Sequence, residues 1–259
     1  MHLSRHRSGW YLAVLLICAR SALGAEIGVL TPSYSGHLDA ELDNTIGSQV
    51  TMGLADVLKN PGERTRKLNE LAASGGFDLV TALNKALVDE LAKANFSAVV
   101  VPIVRHPRPR VAPLARDEVP ENANTPLLLD MTLYYAGIYG SGSALLYEPA
   151  VLMDYRWVDS SGALVQSSRR IQYNALFKTA EDRGKPQWFA SRSTVNSVIL
   201  KTAPGCQFKF FSEVEEQGQK VWGCMDTALR EVAASVAQNV PPIDSFSAGS
   251  RSQRAAPNR

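Results

Sequence analysis

The sequence predicts an α+β fold in which an antiparallel or mixed β-sheet with a central meander is packed by helices. Residues 127–159 contain two long runs of alternating apolar and polar side chains, the pattern of strands with one drier face. The turn sequence Asp159-Ser160-Ser161-Gly162 predicts a third strand returning along residues 163–173. Leucines at every fourth position from Leu79 to Leu91 predict an amphipathic helix, which needs such a sheet to pack on.

The two ends of the 259-residue chain differ in composition from the middle. Residues 1–25 resemble a secretory signal peptide, with a basic start, an apolar run too short to span a bilayer and a small-residue cleavage region. Residues 245–259 are polar and rich in small side chains, which predicts a disordered tail. A single α+β domain is expected over residues 26–244, in a periplasmic or secreted protein. Cys18 raises the possibility of lipidation, which the bulky Ile17 before it disfavours.

Removal of the predicted leader changes both the charge and the cysteine count. The leader holds three arginines and no acidic residue, so the formal net charge falls from +2 to −1, and no global basic charge favours nucleic-acid binding. Cys206 and Cys224 remain, and in an oxidising compartment such a pair predicts a structural disulfide.

The elements before the meander follow from periodicity and capping. Residues 63–70 are charged and are expected to be solvated. Pro102 places the β-branched run around it at a sheet edge or a bulge. The predicted elements, in order, are a strand over 25–31, a helix with apolar positions from Ile46 to Leu58, a helix over 79–91 capped by Asp78 and stopped near Asn95, and a buried strand over 96–104.

Residues 105–116 form a proline-rich basic segment, RHPRPRVAPLAR. Its prolines prevent a helix and favour an extended loop. One interpretation is a surface that docks an acidic partner or lipid headgroups. The other, which we favour, is a solvated connection whose arginines are offset by the acids of residues 117–124.

Three elements are predicted after the meander. Residues 187–202 have helical spacing and end at Pro204-Gly205. A short hairpin is expected around Gln217-Gly218, tied by the cysteine pair. A closing helix is expected over residues 225–240, ended by two prolines.

The sequence lacks the residues that most kinds of catalytic site need. The two histidines left outside the leader, His37 and His106, do not lie in a nucleophile elbow, and they are too few for a zinc site. No phosphate-binding loop is present, and we expect no cofactor and no metal. The carboxylates Asp130, Glu148 and Asp154 leave a periplasmic hydrolase as an alternative function.

A glycine-rich bend flanked by tyrosines lies between the first two meander strands. A plain hairpin turn needs neither several glycines nor a tyrosine on each side, and amphipathic aromatics suit recognition surfaces. A soluble ligand-binding protein is therefore a further alternative. The predicted binding residues are Tyr135, Tyr139, Gly140, Gly142 and Tyr147.

The segments LVTALNKALVDELAKANF, AVVVPI, LLLDMTLYY and YEPAVLMDYRWVDSSGALV occur in an order that resembles a known group. It is that of the periplasmic domains of Tol-associated and curli-secretion-type proteins and of transport auxiliary lipoproteins. The resemblance covers residues 25–170 and the closing helix; the chain departs from it in lacking a lipobox and in carrying Cys206 and Cys224. It implies a non-catalytic envelope component that acts through protein contacts, with no catalytic residue to carry over.

The sequence therefore predicts a periplasmic or secreted accessory or assembly subunit of an envelope transport or secretion system. We expect an envelope protein as its partner, with a homo-oligomer as a further possibility, no nucleic acid, and no transmembrane segment in the mature chain.

Overall fold

The computed structural model of the protein describes residues 26–43, 61–105, 118, 120, 125–141, 146–177 and 197–242. The predicted helix over residues 46–58 and the predicted tail lie outside these ranges. So do His106, Gly142 and most of the proline-rich segment.

The described residues form a mixed seven-stranded sheet and four helices, which confirms the α+β fold. Across the sheet the strand order is β3-β1-β4-β5-β6-β7, and β2 pairs with β4 beyond the end of β1. In chain order the elements are β1 (Ile27–Leu30), β2 (Asp39–Leu42), α1 (Pro61–Gly75), α2 (Leu79–Lys93), β3 (Ala98–Val101), β4 (Leu127–Ser141), β5 (Leu146–Asp159), β6 (Leu164–Tyr173), β7 (Ser197–Leu200), α3 (Phe211–Glu216) and α4 (Gly218–Ala237).

The predicted meander is present as β4, β5 and β6, which pair antiparallel in sequence order. At the second turn, Asp159 Oδ1 accepts hydrogen bonds from the backbone N–H groups of Ser161 (2.8 Å) and Ala163 (3.0 Å). Gly162 has φ +83°, which a residue with a side chain rarely adopts. Local turn chemistry therefore forms the β5–β6 turn, as the sequence predicts.

Both faces of β4 and β5 are buried, but by different parts of the chain. One face, which carries Met131, Met153 and Trp157, shares a large apolar core with all four described helices. The opposite face holds two smaller apolar clusters, around Tyr139 and around Leu128, and neither includes a residue of α1–α4. The sequence expectation of one drier face is therefore too simple.

Helix α2 matches its prediction closely. Asp78 caps it by accepting from the backbone N–H of Thr81 at 2.7 Å, and its leucine stripe is buried against the sheet and α4. Asn95 follows the helix in the left-handed conformation, with φ +67°. None of the helices that the structure describes is long and apolar enough to cross a membrane.

The expectation of a solvated segment over residues 63–70 is correct for only one side of this stretch, because these residues lie in α1. Leu68 and Arg64 are buried on one side of this helix. Asn69 accepts from the Leu38 N–H (2.9 Å) and donates to the Leu38 carbonyl (2.7 Å), so a polar side chain fastens α1 to the chain entering β2. The helical period sends most of the charged groups to the outside, which a count of charges along the sequence does not reveal.

Two predictions in the C-terminal third are also wrong. Residues 197–200, predicted as the end of a helix, form β7, which pairs parallel with β6. The predicted hairpin around Gln217-Gly218 is the junction of α3 and α4, and the closing helix begins at Gly218 rather than at Met225. Phe208 instead makes an isolated antiparallel bridge with Tyr147 of β5. The aromatic residues of this region, which predicted strands, lie instead in the bridge (Phe208), in α3 (Phe211) and in α4 (Trp222).

The structure contains the predicted disulfide between Cys206 and Cys224, with a Cα–Cα distance of 5.4 Å. It joins the segment before α3 to the buried side of α4. A bond of this kind is typical of proteins outside the cytoplasm, where thiols are not kept reduced.

Replacing both cysteines with serine should lower the free energy of unfolding by about 3 kcal/mol. The reason is that the bond closes a loop with a sequence separation of 18, which restricts the unfolded chain. Urea denaturation measures the effect. The unmodified protein in reductant is the control and should match the double variant. An unchanged midpoint in both cases would show that the bond adds no stability.

Candidate contact surface at the sheet edge

The tyrosines predicted to bind a partner lie in the interior. Tyr135, Tyr139 and Tyr147 are at most 4% exposed. Tyr135 donates to the Ile138 carbonyl at 2.8 Å, and burial raises its pKa well above the usual value. Tyr139 packs edge-on against Phe177, with 5.0 Å between ring centroids. A partner would reach these rings only if the structure around them opened, so their binding role stays a prediction that this arrangement does not favour.

The glycines of the same stretch have a packing explanation. Gly137 and Gly140 belong to β4 rather than to a flexible bend, and both lie opposite β2. A Cβ atom on Gly137 would come within 1.8 Å of the Asp39 carbonyl oxygen, and one on Gly140 within 2.7 Å of Leu42. The glycines therefore allow β2 to approach β4 closely.

The three meander carboxylates are not gathered into one site. Glu148 lies six residues before Asp154 on β5, about 20 Å along an extended strand. Glu148 accepts from Thr202 (3.0 Å) and Gln207 (2.8 Å), whereas Asp154 is paired with Arg170 at 2.7 Å. Each carboxylate thus has partners that hold a structural segment in place.

Asp130 lies in a buried charged cluster on the face of the sheet opposite the helices. It accepts from Arg156 through Nε (2.8 Å) and Nη2 (2.6 Å), and Arg105 donates to its other oxygen. Arg105 also donates to the Met131 carbonyl at 2.9 Å and lies 4.0 Å from Glu118. The interpretation of this segment as solvated is therefore wrong at Arg105, which is buried. The two arginines and two acids balance in charge.

His37 is paired with a single acid. Its Nε2 lies 3.3 Å from Asp39 Oδ1, and the imidazole is half exposed. Burial raises the pKa of Asp39, and the nearby imidazole partly offsets that effect. Within the described ranges no group of three His, Cys, Asp or Glu side chains is arranged to hold a metal ion.

An open groove of about 530 Å³ lies between the end of α1 and the α3–α4 junction. Its floor is formed by Leu71, Gly75 and Trp222, and the Trp222 ring stacks on Phe77 with 4.7 Å between centroids. Glu215 at its rim is already paired with Lys67 at 2.6 Å. The groove is open to solvent, and polar or charged side chains, among them Ser74, Gln217 and Lys220, also line it.

Strand β3 provides a candidate contact surface. It is the outermost strand on its side of the described sheet and pairs with β1 only along its inner edge. Val99 and Val100 are 44% and 37% exposed, although their side chains point to opposite faces, so the outer edge is open from both sides. The strand was predicted to be buried; only its edge position, inferred from Pro102, is correct.

The backbone groups on this edge follow from the hydrogen bonds to β1. The carbonyls of Ser97 and Val101 accept from Ile27 (3.0 Å) and Thr31 (3.3 Å), so they face β1. Because successive residues of a strand direct their backbone groups to alternate sides, those of Ala98 and Val100 point away from the sheet. Pro102 occupies the next outward position and has no N–H to offer.

Another free edge in the described sheet, the first half of β6, differs in ways that discourage pairing. β7 covers only Arg170–Tyr173 of β6, which leaves Leu164 to Arg169 uncovered. This stretch pairs irregularly with β5, with register shifts near Trp157, and contains two serines and an arginine. Bulges and charges are the usual protection of an edge. The sequence Ala98–Val101 carries no charge.

No protein-family model and no curated protein matches this chain. Among solved structures, the chain is similar to the crystal structure of a DUF330-family protein from Xanthomonas campestris. The TM-score is 0.37 and the sequence identity is 11%, with 89% of each chain covered. At that TM-score the similarity supports no argument about function.

Proposed function

We propose that this protein is a non-catalytic accessory or assembly subunit of an envelope transport or secretion system, located in the periplasm or secreted. It acts by binding another protein strand along the outer edge of β3. The observation that carries this proposal is the uncharged edge with its exposed valines and outward backbone groups. Addition of a strand to such an edge is a common mode of protein recognition.

The remaining features of the described chain agree with a binding role. The meander carboxylates hold structural segments, and the predicted binding tyrosines are core residues. The disulfide agrees with a location outside the cytoplasm.

Site-specific photo-crosslinking in the cell tests this proposal. A photoreactive residue at Val99 should capture a protein. The same residue at Glu70, whose side chain is 61% exposed on α1, is the matched control and should not capture it. If Val99 captures no more than Glu70 does, the β3 edge is not the contact surface.

Two substitutions in β3 should abolish capture of the partner. Because Val99 is itself replaced in one variant, the photoreactive residue is placed at the exposed Val104 for this measurement. Val99→Lys places a charge on the edge, and Val100→Pro removes an outward N–H that makes no bond to β1. Because both positions are exposed, thermal unfolding should change little for Val99→Lys. Capture that persists in both variants would show that the partner does not pair with β3.

A further inference from the structure

We infer that the strand received by β3 is the β3 strand of a second copy of this chain, so that the two sheets join across a two-fold axis. This inference rests on the proposed function, because it names the partner at the same edge. When two copies of β3 lie antiparallel, the outward N–H groups of one copy face the outward carbonyl groups of the other.

The outward backbone groups determine the register of such a pair. Ala98 and Val100 each offer one N–H and one carbonyl, as derived from the contacts between β1 and β3. With the two-fold axis at Val99, Ala98 of one copy lies opposite Val100 of the other, and each pair exchanges two hydrogen bonds. All four outward groups of each copy are then satisfied.

The ends of the strand limit the pairing at the same place in both copies. In this register Pro102 lies opposite Phe96 of the second copy. Proline has no N–H, and the Phe96 N–H already donates to the Leu91 carbonyl at 2.9 Å. At these two positions the pairing therefore buries no N–H group that lacks an acceptor.

The side chains suit the same arrangement. Residues directly opposite each other point to the same face of a sheet, so Val99 meets the Val99 of the second copy on the face away from the helices. Val100 meets Ala98 on the helix side, where it remains 37% exposed beside α2. No charged side chain occurs between Ala98 and Ile103 to oppose the contact.

The short strand predicts a reversible dimer. Only four backbone hydrogen bonds and three apolar side-chain contacts would hold the two copies together, against the cost of lost translational and rotational freedom. Sedimentation of the purified protein, with its native disulfide intact, should show the dimer fraction rising with protein concentration. Val99→Lys should remain monomeric at the highest concentration tested.

A cysteine scan tests the register. Residues at a non-hydrogen-bonded antiparallel pair are about 4.5 Å apart between Cα atoms, which permits a disulfide. Under mild oxidation Val99→Cys should form a covalent dimer. Val100→Cys should not, because two Val100 residues lie diagonally across the axis, about 7–8 Å apart. Mixing Ala98→Cys with Val100→Cys should restore the cross-link.

The outcomes separate this inference from the proposed function. A purified protein that stays monomeric, with no Val99→Cys dimer, overturns the two-fold pairing. If Val99 nevertheless captures a different protein in the cell, the proposed function stands with another partner. If Val99 captures nothing and the protein is monomeric, both proposals are wrong. Equal cross-linking of the Val99→Cys and Val100→Cys variants would contradict the register.

Discussion

Replacement of Asp130 by alanine should lower the free energy of unfolding by about 3–5 kcal/mol, because it removes the carboxylate that two buried arginines share. Arg105 and Arg156 both donate to this carboxylate, and their side chains are 6% and 8% exposed. Removing it would leave the buried cluster of Arg105, Arg156 and Glu118 with an excess of positive charge. Urea denaturation followed by circular dichroism measures the loss.

Two comparisons show whether the charge is responsible. Asp226→Ala breaks an ion pair with Arg230 of similar length, 2.7 Å, but both side chains are about half exposed and unfolding should hardly change. Asp130→Leu and Glu118→Leu combined with Arg105→Met and Arg156→Met replaces all four charges and should recover much of the stability, since buried ion pairs can often be replaced by apolar side chains. If Asp130→Ala were no more harmful than Asp226→Ala, the cluster would not be a buried charged network.

Gly137→Ala should destabilise the fold by about 3 kcal/mol, near the upper end of the usual cost of overpacking. The added Cβ would lie 1.8 Å from the Asp39 carbonyl oxygen and 2.8 Å from the Asp39 N and C atoms. These are backbone atoms and cannot rotate away, so β2 must move from β4. That movement would also disturb α1, which Asn69 fastens to Leu38.

Gly223→Ala is the matched control for Gly137→Ala. Gly223 lies within α4, and a Cβ there would meet no atom within 4 Å. Because alanine favours helix more than glycine does, this variant should be more stable than the unmodified protein by up to about 1 kcal/mol. Thermal unfolding of both variants gives the comparison. A Gly137→Ala protein as stable as the original would mean that β2 does not approach β4 this closely.

The elements that were predicted well are those whose signal is local. Helix α2 has a cap, a leucine stripe and a stop within one short stretch. The β5–β6 hairpin depends on Asp159 and Gly162, which act within their own turn. Each of these features needs only neighbouring residues, so a single sequence is sufficient to find it.

The elements that were missed depend on contacts between distant parts of the chain. Phe208 forms a bridge with Tyr147, which lies 61 residues before it in the chain, and not a local hairpin. The burial of Arg105 depends on Asp130, and the glycine at position 137 depends on β2. Composition and period carry no information about which distant segment supplies the neighbour.

The features of the fold and of the candidate site therefore fall into two groups, those set by local sequence and those set by tertiary contacts. The sequence alone determined the meander, the capped helix and the pairing of Cys206 with Cys224, because periodicity, turn chemistry and cysteine number act locally or by elimination. It also placed Pro102 near an edge. Only the tertiary structure decided that Gly137 and Gly140 pack against β2 and that β3 lies outermost, with Val99 and Val100 exposed. The reason is that strand order depends on which strands find partners across the whole chain.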